Sequence, residues 1–202
     1  MSKAVLMSIQ PKGVELIANG KKTIEIRKTK PKLQTPFKCY IYCTKDGYDV
    51  STFGADKTII WHGKVIGEFV CDKIECFNTH PKDEQTKRIS CQSCVEVGLL
   101  MEYQFYAPCI YAWHISNLVI YDQPKELSEF WLYNEELHKR YESEEDYCAW
   151  GNSTTESGCQ TNDCEGTDLL QCYQCWEYWS GWCHKLKKAP QSWCYVEELD
   201  ND

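Results

Sequence analysis

Gly20-Lys21-Lys22-Thr23-Ile24-Glu25-Ile26-Arg27 reads as a strand entered from a tight turn. Asn19-Gly20 is a turn dipeptide, and glycine takes a positive φ without a Cβ penalty. Side chains of an extended chain alternate between two faces. Ile24 and Ile26 therefore point one way, toward a core. Thr23, Glu25 and Arg27 point the other way, and Lys22 stands where turn meets strand, able to reach either side. A carboxylate and a guanidinium two residues apart on one face hold each other in place. The guanidinium keeps spare donors for a phosphate or a base edge. The same spacing also fits a solvated strand face carrying an ordinary ion pair, worth about 0–1 kcal/mol.

The surroundings favour a defined entrance to this strand. Ala4–Ile9 is an apolar run that predicts a first strand. Pro11 stands where a helix starts, a position at which its missing N–H costs nothing. Val14, Leu16, Ile17 and Ala18 then predict a short helix ending at Asn19-Gly20. Gly20, Lys22, Glu25 and Arg27 match the Gly-x-Lys-x-x-Glu-x-Arg signature of the ASCH domain family, a branch of the PUA-like β-barrels. Ser8-Ile9-Gln10-Pro11 resembles that family's opening. Val65–Phe69, Trp113–Leu118 and Gln191–Val196 resemble its later strands and ending. The resemblance covers roughly residues 1–125 and the last dozen. It implies a small barrel with a cleft that binds RNA, a nucleotide or a modified base.

Further along, Phe37–Thr44 predicts a strand with Tyr40 and Tyr42 on one face and Cys39, Ile41 and Cys43 on the other, closed by a turn at Asp46-Gly47. Thr58–Trp61 and Lys64–Cys71 predict a hairpin around His62-Gly63. Gly67 within the second of these strands marks a bulge or a close backbone approach. Ser93–Tyr103 places Val95, Leu99 and Tyr103 at helical spacing. Cys109–Tyr121 reads as one long apolar strand, and Pro124 opens a short helical turn through Phe130. The class that follows is α+β: a small PUA-like mixed β-barrel with short flanking helices and a Cys-rich, irregular C-terminal insert. Residues 1–130 read as the barrel, 131–188 as an acidic Cys-rich insert, and 189–202 as a segment returning to the barrel.

Charge is distributed unevenly along the 202 residues. The net charge is −8, yet residues 1–45 carry ten Lys/Arg against two acids, Glu15 and Glu25, and residues 126–202 carry 5 against 17. A basic first third predicts an anion-binding face. No run approaches the roughly 18 apolar residues of a membrane span. The N-terminus passes straight into Gln10-Pro11-Lys12 without the pattern of a leader, so a cytoplasmic protein with no membrane partner is expected.

Fourteen cysteines demand an account. Cys148, Cys159, Cys164, Cys172, Cys175 and Cys183 fall within 36 residues, in a stretch with almost no aliphatic run. Such a stretch needs an external tie. Cys172-x-x-Cys175 has the spacing of half a structural zinc site, with Cys159 and Cys164 as the other half and Cys148, Cys183 and His184 as alternates. One structural zinc, reduced packed cysteines and disulfides all fit the pattern. The insert could equally present a protein-interaction surface, whose partner the sequence does not name. Cys91-x-x-Cys94 reads as structural, because no thioredoxin-like context surrounds it.

The expected nucleotide or RNA site gathers Ser8, Gln10, Lys22, Glu25, Arg27 and Lys45, with Lys28 and Lys30 as further cations. Tyr42, Trp113 and Trp193 are candidate stacking platforms, a contact worth about 1–3 kcal/mol per base, though aromatics in strands also serve as core. An enzyme is the alternative: a nucleic-acid-processing hydrolase, either ribonuclease or nucleoside amidohydrolase, with Lys22, Glu25 and His114 as catalytic groups. Small relatives in the wider family act on acylated cytidine. The resemblance gives those enzymes a lysine and a threonine within this signature. Here Lys22 matches the lysine, Glu25 stands at the threonine position, and Thr23 lies two residues earlier. The chain has no Walker-type loop, no Gly-x-Ser-x-Gly and no His-Glu-x-x-His.

Overall fold

The computed structural model describes residues 2–45, 61–133 and 185–199. Strand β1 (Lys3–Ile9) leads into helix α1 (Pro11–Ala18), with Pro11 in the first turn. Asn19 ends the helix. Gly20 follows at φ +68°, donating to Ile17 O, while the Lys21 N–H donates to Leu16 O. This left-handed C-terminal cap aims the chain into β2 (Ile24–Arg27). The expected turn, helix and signature strand are all present.

Two sheets follow. The first has the order β7-β4-β3-β1-β8, built from β3 (Phe37–Cys43), β4 (Lys64–Cys71), β7 (Ser116–Glu126) and β8 (Trp193–Glu197) around β1. Strands β1 and β3 run parallel, and the other pairs are antiparallel. The second sheet has the order β2-β6-β5, with β5 (Ile74–Phe77) and β6 (Ile110–His114). The expectation of a mixed α+β architecture holds. The described strands form two sheets, and no closed barrel is formed among them.

The first sheet buries both its faces. Val5, Met7, Cys39 and Ile41 join one core cluster, whereas Leu6, Tyr40, Tyr42 and Val196 join another on the opposite face. The alternation read from Phe37–Thr44 is thus the one observed. Register shifts flank Gly67 in β4, where a Cβ would lie 2.3 Å from the Val119 carbonyl oxygen. Only glycine lets β7 approach this closely, as the bulge reading anticipated.

Three expectations are corrected. The run Cys109–Tyr121 is two strands, β6 and β7, in different sheets. The chain turns between them at Ile115, which donates to Thr23 O, and at Asn117, whose φ is +47°. Hydrophobicity persists through the turn because both strands are packed, so the run alone hides the switch. The helix expected over Ser93–Tyr103 begins only at Val97, as α3 (Val97–Gln104), and a further helix, α2 (Glu84–Ser93), precedes it, ended by Cys94 in the left-handed conformation. Their core contacts are Ile89 and Leu100, while Leu99 and Tyr103 face outward. Finally, β7 runs through Pro124 to Glu126 and only Leu127–Glu129 is helical, as a single 3₁₀ turn. Strand β5 was not read from the sequence at all. The strand expected at Thr58–Trp61 and the turn at Asp46-Gly47 fall almost wholly outside the described residues, with Trp61 buried at their edge.

Candidate functional site

Strand β2 is sandwiched between layers. Ile24 and Ile26 pack with Phe77, Ile89, Leu100, Ile110 and Ala112 under helices α2 and α3. Glu25 and Arg27 take the other face, opposite Trp113 and Tyr111 of β6, and turn toward the end of β1. The alternation is as expected, but that second face is not solvated: Lys22, Glu25 and Arg27 are only 6%, 8% and 8% exposed. The reading of an ordinary exposed ion pair is therefore set aside.

The three side chains form one network. Glu25 Oε2 lies 3.1 Å from Lys22 Nζ, and Glu25 Oε1 lies 3.1 Å from Arg27 Nη2. Lys22 also donates to the Ser93 carbonyl oxygen at 2.8 Å, at the end of α2. Arg27 Nη2 donates to the Ser8 carbonyl oxygen at 2.6 Å, and Nη1 to Ser192 Oγ at 3.3 Å. Arg27 Nε is buried and has no hydrogen-bond partner among the described residues. The cluster holds two cations and one anion out of water, so it keeps a net positive charge and spare donors. Burying an uncompensated charge costs several kcal/mol, and the cost is relieved when an acceptor or anion arrives.

Other expected site residues divide by strand register. Ser8 is buried; its Oγ donates to the Pro190 carbonyl oxygen, so its side chain holds the C-terminal segment while its backbone meets Arg27. Gln10 caps α1 and is exposed. Lys45 is exposed beyond β3, with its stem lying over Gly63. Tyr42 is buried on the face of the first sheet opposite that of Met7 and Ile41, away from Arg27. Trp113 is fully buried and packs edge-on against Phe37, so in this structure it serves as core. Trp193 is half-buried, 6.0 Å from the Trp113 ring and 5.4 Å from Tyr195, and its Nε1 donates to Thr29 Oγ1 at 3.0 Å.

His114 does not join Lys22 and Glu25. It pairs with Ile24 across β2 and β6, so it lies on the opposite face from Glu25. There its Nε2 stands 2.6 Å from Glu75 Oε1, in a cluster with Arg88 and Lys73. Burial alone would raise the Glu75 carboxyl. Hydrogen bonds from His114 and Arg88 and the charges of Arg88 and Lys73 outweigh burial and hold it at about 2, down from 4.5.

Sequence reading missed Tyr103 as a site residue. It stands on α3 with Lys28 Nζ 4.9 Å from its ring, within electrostatic reach of Arg27 and Glu25. Burial raises its hydroxyl, Arg27 lowers it and Glu25 raises it. No spacing rule links Tyr103 to a strand that ends at residue 27. Cys148, Cys159, Cys164, Cys172, Cys175, Cys183 and His184 lie outside the described residues.

No family model matches the chain, and no curated protein does. Among solved structures, a serine-to-alanine variant of ASCH from Zymomonas mobilis superposes with a TM-score of 0.50 at 18% identity, covering 69% of this chain and 95% of that one. The chain has an ASCH-like fold. Unsubstituted ASCH from the same organism gives a TM-score of 0.49 at 18% identity, over 69% of this chain and 94% of that one. A tyrosine-to-phenylalanine variant gives 0.47 at 17% identity, over 70% and 98%. Within this ASCH-like fold, the buried Lys22–Glu25–Arg27 cluster lies where β1, the segment leading into β8 and the end of α2 converge. No helix among the described residues is long and apolar enough to cross a membrane.

Proposed function

We propose that this chain is an ASCH-type module that binds RNA or a modified nucleotide at the Lys22–Glu25–Arg27 cluster. The observation that carries the reading is the unpartnered Arg27 Nε inside a buried, net-positive network. A phosphate or base-edge oxygen supplies the acceptor this group lacks. Glu25 orients the two cations, and Trp193 and Tyr103 are the aromatic rings available to a base. Lys28 and Lys30, both exposed, add charge for a phosphate backbone.

Binding is favoured over hydrolysis by the state of Lys22. A nucleophilic amine needs a free lone pair. Lys22 is instead ion-paired with Glu25 and donates to the Ser93 carbonyl oxygen, so its nitrogen is committed to the network. His114, the other candidate for proton transfer, faces Glu75.

Isotherms against short single-stranded RNA and a panel of modified nucleosides at two salt concentrations test the proposal. Affinity should fall with salt and with Arg27→Ala. Affinity indifferent to both would refute it. Incubation with RNA and acylated nucleosides, followed by mass spectrometry, separates the enzyme: product that disappears in Lys22→Ala would replace binding by hydrolysis. A structural zinc on Cys159, Cys164, Cys172 and Cys175 is a separate proposal, and metal analysis of reduced protein decides it.

A further inference from the structure

Cys76 and Cys109 face each other on the surface. Cys76 lies on β5, the edge strand of the three-stranded sheet, and Cys109 immediately precedes β6. Cys76 pairs with Tyr111, so Cys109 is its diagonal neighbour on the same face. The two Sγ atoms lie 2.6 Å apart, well inside non-bonded sulfur contact. Cys76 is exposed and Cys109 half-buried. Tyr111 stands beside the pair, and both sulfurs act electrostatically on its hydroxyl. Lys30 Nζ stands 5.8 Å from the Tyr111 ring and acts electrostatically on Cys76.

We propose that Cys76 and Cys109 form a reversible dithiol–disulfide site that exchanges with low-molecular-weight disulfides of the glutathione type. The step balances without a metal. Cys109, as its thiolate, attacks one sulfur of the oxidised disulfide. One small thiol leaves, and a mixed disulfide stands on Cys109. Cys76 then loses its proton and attacks Cys109 Sγ, releasing the second small thiol and closing the protein disulfide. Two thiol hydrogens and two electrons pass to the small molecule, which is reduced to two thiols. A closed bond holds its sulfurs about 2.0 Å apart, so closure asks for a shift of only about half an ångström.

The surroundings make this pair selective. Cys39 and Cys71 are both buried; burial pushes Cys39 well above its ordinary value and Cys71 to about 12, so neither offers a thiolate. Cys94 Sγ is engaged with the Lys21 carbonyl oxygen. At Cys76 itself the close contact with the Cys109 sulfur raises the thiol, burial adds to that, and Lys30 works in the opposite direction. The proposal stands apart from the nucleotide reading and survives its failure.

The test uses the full chain. Reduced protein is exposed to graded ratios of oxidised to reduced glutathione, quenched by alkylation and mapped by mass spectrometry. The linked Cys76–Cys109 peptide should accumulate and revert on reduction, while Cys39 and Cys71 stay as thiols. Cys76→Ser, an exposed substitution, should trap glutathione on Cys109. Separate alkylation of Cys76 and Cys109 at ratios that already pair other cysteines would overturn the proposal, as would Cys76→Ser protein that carries no adduct on Cys109.

Discussion

Arg27 donates through Nη2 to the main-chain oxygen of Ser8 at 2.6 Å, and this bond joins the three-stranded sheet to the five-stranded one. The same side chain reaches Ser192 beside β8. One guanidinium thus touches β1, the segment leading into β8, and, through Glu25, the Lys22 turn. Arg27 thus carries both the proposed binding role and a share of the fold's stability.

Removing one partner of a buried ion network strands the others. Arg27→Ala should cost about 3–5 kcal/mol. Glu25→Gln should be worse than Lys22→Met, because it leaves two cations facing each other, whereas Lys22→Met leaves a balanced Glu25–Arg27 pair. Urea midpoints of the three variants check this order. Equal midpoints for Glu25→Gln and Lys22→Met would show that the network is solvated in solution.

The two tryptophans should part company. Trp113→Ala empties a fully buried site and should cost about 3–5 kcal/mol. Trp193→Ala should cost less in thermal stability and more in affinity for a nucleobase, because its ring is half-buried at the edge of the cluster. Melting curves and isotherms on the same preparations read both. Unchanged nucleobase affinity in Trp193→Ala removes that ring from the site.

Glu75 predicts an acid transition. Its carboxyl is held at about 2 in the folded chain against an ordinary 4.5. A depressed carboxylate stabilises the fold above the unfolded value, and that contribution is lost as pH falls through the folded one. Wild-type stability should therefore drop between about pH 4.5 and 2 in part through Glu75. Glu75→Gln should flatten that part of the profile while lowering stability at neutral pH, since His114, Arg88 and Lys73 lose their common partner. Denaturant unfolding across this range, wild type against variant, measures it. Parallel profiles would mean that the cluster is screened.

Gly67→Ala should destabilise by about 1–3 kcal/mol, since β7 must retreat from β4 to admit the methyl group. Thermal denaturation gives the sign directly. A neutral result would mean that the β4–β7 pairing relaxes there without loss.

Local chemistry was enough to read β1, α1, the Gly20 cap, β2, the two-faced β3 and the bulge at Gly67. Each depends on a backbone preference or a side-chain period that neighbours in sequence impose. The sequence also picked out Lys22, Glu25 and Arg27 as one unit, because period-two spacing and a turn put them within mutual reach. Tertiary structure alone decided that this unit is buried, for burial comes from β1, β8 and α2, supplied by residues 8, 192 and 93. It also divided the run 109–121 between two sheets, sent Trp113 to the core, turned His114 toward Glu75 and brought Tyr103 within electrostatic reach of Arg27. The physical reason is the same in each case. A residue's type and period fix which way it points, whereas what it meets there depends on long-range packing that no local pattern encodes.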